Sequence, residues 1–229
     1  MVTGPRAVLF DFDGLICDTE HAAFTSWRDL YASFGLEFPP EVWSRLMGRP
    51  DGERTGLADL ARRLGRPVSR AVREDRRRRK RELCDREPLR PGVAAVLDEA
   101  ARLGLATAVV SSSARTWVEH HLGRLGIETR FTELVTGEQV DRHKPAPDLY
   151  VLALRRLGLS AAEALAFEDS ATGVRAARAA GVRCVGVPNA AGCAGDLTLA
   201  GADTVVPDLT KLDLGLLGTG AGLERKAAS

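Results

Sequence analysis

The stretch AVLFDFDG, residues Ala7–Gly14, decides the fold. Its apolar opening predicts a strand over residues 7–12, buried on both faces of a sheet. Asp11 and Asp13 stand two positions apart, so both carboxylates can point to the same side before Gly14 turns the chain. Two neighbouring like charges need a counter-charge, commonly a divalent cation; a plain acidic turn is the alternative.

Beyond residue 91, short apolar strands alternate with helices. The predicted strands are Leu105–Val110, Glu133–Thr136, Ala164–Phe167, Val182–Val187 and Thr204–Val206. The predicted helices are Gly92–Arg102, Ala114–Leu125, Pro147–Leu157 and Ala171–Ala180. This alternation predicts parallel strands covered by helices on both faces. With the first strand included, the expected fold class is α/β, a Rossmann-like doubly wound parallel sheet.

The region between the first strand and residue 88 carries only helical patterns. Apolar residues recur at helical spacing over His21–Phe34, and further helices are predicted over 57–64 and 68–83. The arginine-rich run Arg70–Arg81 contains no interleaved aromatic residue and is interpreted as a solvated helix face. We therefore expect a helical cap domain at 17–88, inserted into a core of residues 1–16 and 89–218. A disordered tail is expected at 219–229.

Composition narrows the class of protein. The chain has 229 residues, 45% of them hydrophobic and 28% charged, which excludes collagen-like, disordered and disulfide-scaffold proteins. The net charge of +1 argues against a nucleic-acid partner, and the chain has no run of about 18 apolar residues that would cross a membrane. Its four cysteines lack disulfide or metal-ligand spacing, so a cytoplasmic location is expected.

Polar residues also follow the later strands, at the edge where open parallel sheets bind ligands. Ser111 and Ser112 follow the second strand and suit a phosphate, although serine is also an ordinary helix cap. Lys144 is one of four lysines in a chain that otherwise uses arginine; an exposed loop lysine is the alternative to a functional ammonium. Glu168 and Asp169 end a further strand and add oxygen ligands that suit Mg²⁺.

Taken in order, the segments FDFDGLICDTE, VVSSS, HKPAPDLY and FEDSATG resemble the four motifs of the haloacid dehalogenase-like hydrolases. The resemblance extends to about Pro207. It is closest to the subfamily that carries a helical cap after the first motif, which contains β-phosphoglucomutase and phosphatases of small metabolites.

The resemblance implies a role for each motif residue. Asp11 would be the nucleophile that forms an aspartyl-phosphate, and Asp13 the acid/base that protonates the leaving alkoxide and then activates water. The transferring phosphoryl group would be held by Ser111, Ser112 and Lys144.

The implied cofactor is Mg²⁺. It would be held by the Asp11 side chain, the Asp13 main-chain carbonyl and Asp169, with Glu168 in support. The implied substrate is a phosphate ester of a small molecule, and a monomer is the simplest expectation. Candidate substrate contacts in the cap and hinge are Glu20, His21 and Arg49. The three tryptophans, Trp27, Trp43 and Trp117, are interpreted as packing residues.

Phosphatase and sugar phosphomutase remain as alternative functions. The mutases add a histidine and a lysine in the cap, and those positions fall here on Ala23 and Met47. Without both groups, hydrolysis of the phosphoenzyme is the expected outcome. A non-enzymatic phosphoacceptor or binding protein is the remote alternative, since Asp11, Asp13 and Lys144 are all present.

Overall fold

The computed structural model describes residues 4–46, 52–189 and 194–213, together with Gly215 and Leu217. The chain divides into two compact units, a larger one of residues 1–17 and 88–229 and a smaller one of residues 18–87. Arg49, Met47 and the predicted tail at 219–229 lie outside the described residues. Every helix in the described part is too short or too polar to cross a membrane.

A six-stranded sheet forms the centre of the larger unit. Its strands are β1 (Ala7–Phe10), β2 (Ala106–Val110), β3 (Glu133–Val135), β4 (Ala164–Glu168), β5 (Arg183–Gly186) and β6 (Thr204–Val205). They lie in the order β3-β2-β1-β4-β5-β6, and all five pairings are parallel. This is the strand order of a doubly wound sheet, in which strands are added to one side up to β3 and to the other side from β4 onward. The α/β prediction is confirmed.

Nine α-helices lie in the described residues: α1 (Thr19–Ala32), α2 (Pro40–Leu46), α3 (Gly52–Leu64), α4 (Arg70–Cys84), α5 (Val93–Arg102), α6 (Arg115–Arg124), α7 (Asp148–Leu157), α8 (Ala171–Ala179) and α9 (Ala194–Leu199). The last five belong to the larger unit. They bury the sheet on both faces. Val8 and Phe10 of β1 pack with α5 and α6, whereas Ala7 and Leu9 pack with α7 and α8.

The smaller unit contains only helices in its described part. Asp18 caps α1, since its Oδ1 accepts the His21 main-chain N–H at 3.1 Å. Phe38 lies among four other aromatic rings, those of Phe24, Trp27, Tyr31 and Trp43. Helix α3 begins at Gly52, before the predicted start at residue 57, although glycine is a poor helix former. A Cβ at this position would collide with the carbonyl of Leu46.

Helix α4 departs in part from the predicted solvated face. Arg76 is buried, with its guanidinium carbon 4.2 Å from the centre of the Trp27 ring and its Nη2 3.0 Å from Glu53 Oε1. Its neighbour Arg77 binds the same glutamate but remains 56% exposed. One arginine of the run therefore belongs to the interior of the smaller unit, because its ring contact and ion pair compensate for its loss of solvent.

Candidate active site

Adjacent strand ends bring the predicted residues together at one edge of the sheet. Asp11 directly follows β1, which is the strand between β2 and β4. Its main-chain N–H donates to the Phe167 carbonyl of β4 at 3.0 Å, while Ser111 follows β2 and donates to the Val135 carbonyl of β3 at 2.9 Å. The sheet pairing thus continues to the residues that carry the motif side chains.

Lys144 lies at the centre of a buried ion-pair cluster. Its Nζ donates to Asp11 Oδ1 at 2.5 Å, to Glu168 Oε1 at 2.6 Å and to the Val110 carbonyl at 2.7 Å. The Lys144 side chain is 7% exposed, so the alternative of an exposed loop lysine is wrong. Tyr150 Oη, from α7, donates to the same Glu168 oxygen at 2.5 Å.

The cluster holds more negative than positive charge. Burial raises the pKa of Asp11 to about 8, and the charge of Glu168 adds to this effect while Lys144 opposes it. Burial alone would lower the pKa of Lys144, but the charges of Asp11 and Glu168 raise it above its ordinary value. These charges favour the protonated form of Lys144, and a further cation beside Asp11 would favour the ionised form of that carboxyl group.

Three buried carboxylates form a candidate metal centre. Asp11, Glu168 and Asp169 each offer one oxygen, and these oxygens lie within 4.8 Å of one another. Glu168 Oε2 is buried with no hydrogen-bond partner among the described residues, and Asn189 Nδ2 holds Asp169 Oδ2 at 2.6 Å. An all-oxygen, negatively charged donor set fits a hard divalent cation such as Mg²⁺.

Asp13 faces a different set of partners. Ser113 Oγ donates to its Oδ2 at 2.5 Å, and Trp117 Nε1 donates to its Oδ1 at 3.0 Å. Gly14, at φ +83°, turns the chain immediately afterwards, and its carbonyl accepts from the Arg90 guanidinium. The interpretation of Trp117 as a packing residue is incomplete, because its indole N–H binds a predicted catalytic carboxylate.

The two serines predicted to bind phosphate lie between β2 and α6. Ser111 is 1% exposed, and its Oγ accepts the Ser113 main-chain N–H at 3.0 Å. Ser112 Oγ is buried with no hydrogen-bond partner in the described part of the chain. A buried hydroxyl of this kind is available to donate to a ligand oxygen.

The predicted cap and hinge residues belong to the smaller unit. Glu20 and His21 lie in the first turn of α1, where His21 is exposed and Glu20 partly buried. Arg49 is outside the described residues. Their roles toward a substrate remain predictions.

Sequence reasoning assigned no hydrogen-bonding role in the site to four residues, two of which lie within the quoted segments VVSSS and HKPAPDLY: Ser113, Trp117, Tyr150 and Asn189. Asn189 could have been predicted, because it follows the end of β5 and ligands bind at the carboxyl ends of parallel strands. Tyr150 and Trp117 lie within helices, and no local pattern distinguishes them from packing aromatics.

A sequence model of the family described as haloacid dehalogenase-like hydrolase matches residues 8–187, which is more than half of the chain. The chain is a haloacid dehalogenase-like hydrolase. The match runs from β1 past the end of β5 and includes the smaller helical unit. The resemblance seen in the four motifs is thereby confirmed.

Relatives of this hydrolase carry phosphatase names. YhcW of Bacillus subtilis, named provisionally as a phosphatase, is 37% identical and aligned over 93% of this chain and 96% of its own. The phosphorylated carbohydrates phosphatase of Thermotoga maritima is 36% identical over 88% and 94%. A crystal structure of a haloacid dehalogenase family hydrolase from Deinococcus radiodurans, with bound phosphate and sodium, has a TM-score of 0.80 at 27% identity, covering 98% of this chain and 100% of that one.

Proposed function

We propose that this hydrolase is a Mg²⁺-dependent phosphatase that hydrolyses phosphate monoesters of small phosphorylated metabolites. The observation that carries the proposal is the buried Asp11 carboxylate, paired with Lys144 beside Glu168 and Asp169. The phosphatase names of similar proteins support the reaction class, and the name of the Thermotoga maritima relative supports phosphorylated carbohydrates as the first substrates to test.

The proposed reaction has two steps. An oxygen of Asp11 attacks phosphorus, the bond to the ester oxygen breaks, and Asp13 gives that oxygen its proton as the alcohol leaves. Asp13, now ionised, takes a proton from a water molecule as the water attacks the aspartyl-phosphate. Inorganic phosphate leaves and the Asp11 carboxylate is restored. The covalent intermediate divides one difficult displacement into two easier ones.

Charge stabilisation is the main task of the surrounding residues. The ammonium of Lys144 offsets the repulsion between Asp11 and a phosphate dianion, and the hydroxyls of Ser111 and Ser112 would bind the phosphoryl oxygens. When bound, Mg²⁺ supplies further positive charge at the phosphoryl group. The groups that would hold it are the Asp11 and Asp169 side chains and the Asp13 main-chain carbonyl, with Glu168 in support.

The smaller helical unit is proposed to act as the cap that selects the substrate. This role follows from the position of the unit in the sequence, directly after the first motif. Glu20, His21 and Arg49 are its candidate substrate contacts. The residues assigned to the chemistry all belong to the larger unit of one chain, and a monomer is the simplest assembly that this enzyme could have.

The test is phosphate release from a panel of metabolite phosphates, with Mg²⁺ and with a chelator. We expect metal-dependent release that is concentrated on a few chemically related compounds, and no release by the Asp11→Asn variant. Folded, metal-supplied protein that releases phosphate from none of the compounds would contradict the proposal. Efficient movement of phosphate between two positions of a hexose, supported by a sugar bisphosphate, would favour the mutase, even though Ala23 stands where the mutases have a histidine.

A further inference from the structure

Two donors, one from the loop before α6 and one from its first turn, bind both oxygens of the Asp13 carboxylate. The Ser113 hydroxyl donates to Oδ2 at 2.5 Å, and the Trp117 indole N–H donates to Oδ1 at 3.0 Å. Trp117 is 104 residues away in the sequence, so this contact exists only in the folded chain. One carboxylate held at both oxygens has its plane and its rotamer defined.

The tryptophan itself is held in place. Its ring meets the ring of His121 edge to face, with the centroids 4.3 Å apart, and it packs against the hydrophobic core of the larger unit. His121, one turn further along α6, is fully buried. On the other side, Gly14 donates its N–H to the Cys17 carbonyl at 2.8 Å, which fixes the turn that follows Asp13. Both partners of the hydrogen bond therefore lie on ordered backbone.

The two donors differ chemically. An indole N–H only donates a hydrogen bond, whereas a serine hydroxyl can donate or accept. The Trp117 contact therefore has one fixed sense, with Asp13 Oδ1 as the acceptor, and it defines the orientation of the carboxyl group. The Ser113 hydroxyl binds the other oxygen and can adapt its own orientation to it.

We propose that Trp117 is a positioning residue for the reaction of this hydrolase. It binds Asp13 Oδ1 and thereby holds in one orientation the carboxyl group that is proposed to protonate the leaving ester oxygen. This inference rests on the proposed function. In the first step the proton moves from the Asp13 carboxyl group to the ester oxygen, which keeps the electron pair of the broken bond to phosphorus. Trp117 does not touch the substrate and acts through Asp13.

The hydrogen bond can be tested without measuring activity. The chain has three tryptophans, so protein with nitrogen-15-labelled indoles should give three indole N–H signals, assigned through Trp27→Phe, Trp43→Phe and Trp117→Phe. Asp13→Ala should shift the Trp117 signal and leave the other two in place, since it removes the acceptor. An unmoved Trp117 signal would overturn the proposal.

The role in proton transfer is tested with aryl phosphates of similar size and different leaving groups. Phenolate is a poor leaving group that needs a proton, whereas p-nitrophenolate is stable without one. Trp117→Phe keeps an aromatic ring and removes the N–H. We expect it to lower kcat/KM about 10-fold for phenyl phosphate and less than about 2-fold for p-nitrophenyl phosphate. The kcat/KM value is the one to use because it reports only steps up to formation of the phosphoenzyme.

Matched variants separate positioning from general damage. Trp43→Phe makes the same change in the smaller unit and should leave the ratio of the two kcat/KM values unaltered. Ser113→Ala removes the other donor, should change the ratio in the same direction, and serves if Trp117→Phe does not fold. Equal losses on both substrates would overturn the inference alone. Wild-type protein that hydrolyses no phosphate ester would overturn the proposed function, and this inference with it.

Discussion

Asp11 combines burial with the chemistry of a nucleophile. Water is replaced around its carboxylate by the Lys144 ammonium and by two further acids, Glu168 and Asp169. Loss of solvent makes the carboxylate more reactive toward phosphorus but also raises its pKa, so its ionised form depends on neighbouring cations. The same surroundings can therefore serve both the metal and the phosphoryl group.

Replacement of Asp11 tests this assignment directly. Asp11→Asn has nearly the same shape but lacks the anionic oxygen, so we expect kcat to fall by at least about 10³-fold with the fold retained. Phosphate release and circular dichroism measure the two effects. Asp98→Asn is the matched control, since Asp98 is 70% exposed in a surface ion pair with Arg130. Turnover by Asp11→Asn at a rate near that of the control would exclude the covalent mechanism.

The junction of β4 and α8 shows how an element positions a site. Ser170 caps α8 by accepting the Gly173 N–H at 3.1 Å, which brings the first turn of the helix against the Glu168 carboxylate. A Cβ on Gly173 would overlap both oxygens of Glu168. Glycine at this helical position therefore permits a close approach that no other residue allows.

Gly173→Ala should displace the Glu168 carboxylate and lower the free energy of unfolding by about 2 kcal/mol. Mg²⁺ should also bind more weakly, since Glu168 supports the proposed metal centre. Gly123→Ala in α6 is the control, because that position is exposed and its Cβ would meet only Glu128 Oε2, at 3.7 Å. In this control the free energy of unfolding should rise by about 0.5 kcal/mol, because alanine has a higher helix propensity than glycine. Urea denaturation measures the free energy of unfolding of both variants. Similar values for the two would contradict the close contact between Gly173 and Glu168.

Helix α4 offers a second comparison at this scale, within the smaller unit. Arg76 and Arg77 share Glu53, but their side chains are 6% and 56% exposed. Arg76→Ala should lower the free energy of unfolding by about 3 kcal/mol, because it removes a buried ion pair and the packing on Trp27. Arg77→Ala should cost less than about 1 kcal/mol. Unfolding followed by tryptophan fluorescence distinguishes them, and equal costs would contradict the assigned burial.

For the whole molecule, the acidic cluster makes the stability of the fold depend on pH and on metal binding. The pKa of Asp11 is about 8 in the folded chain against an ordinary value of 3.8. Between these values the metal-free folded state binds more protons at Asp11 than the unfolded state does, so this group makes stability fall as pH rises. A cation that binds the ionised carboxylate opposes the loss, and opposes it most at the upper end of the window.

We therefore expect Mg²⁺ to raise Tm more at about pH 8 than at about pH 5. At a concentration 100-fold above its Kd, the added stability would be about 2.7 kcal/mol. Thermal unfolding with Mg²⁺ and with a chelator at both pH values makes the measurement. Asp11→Asn should reduce the difference between the two pH values, whereas Asp98→Asn should retain it. An equal rise at both pH values in wild-type protein would contradict the linkage.

Local sequence predicted those features that depend on neighbouring residues. Unbroken apolar runs predicted the six strands. Because parallel strands all end on the same side of the sheet, the polar residues at or after their ends, Asp11, Lys144 and Glu168, could be placed at a common edge. Helical spacing predicted the helices of the inserted region, although the start of α3 at Gly52 and the burial of Arg76 escaped it. The burial of Arg76 depends on Trp27 and Glu53, which are distant in the chain, whereas the start of α3 depends on a close approach to the nearby Leu46 carbonyl.

The amino-acid sequence by itself determined the α/β class, the inserted helical segment and the residue types available for phosphate chemistry. Only the tertiary structure decided which side chains meet. The strand order places β1 between β2 and β4, so Asp11 lies beside Glu168, and the packing of α6 turns Trp117 toward Asp13. The physical reason is that periodicity records which face of an element is buried, whereas a contact across 104 residues depends on how the elements pack.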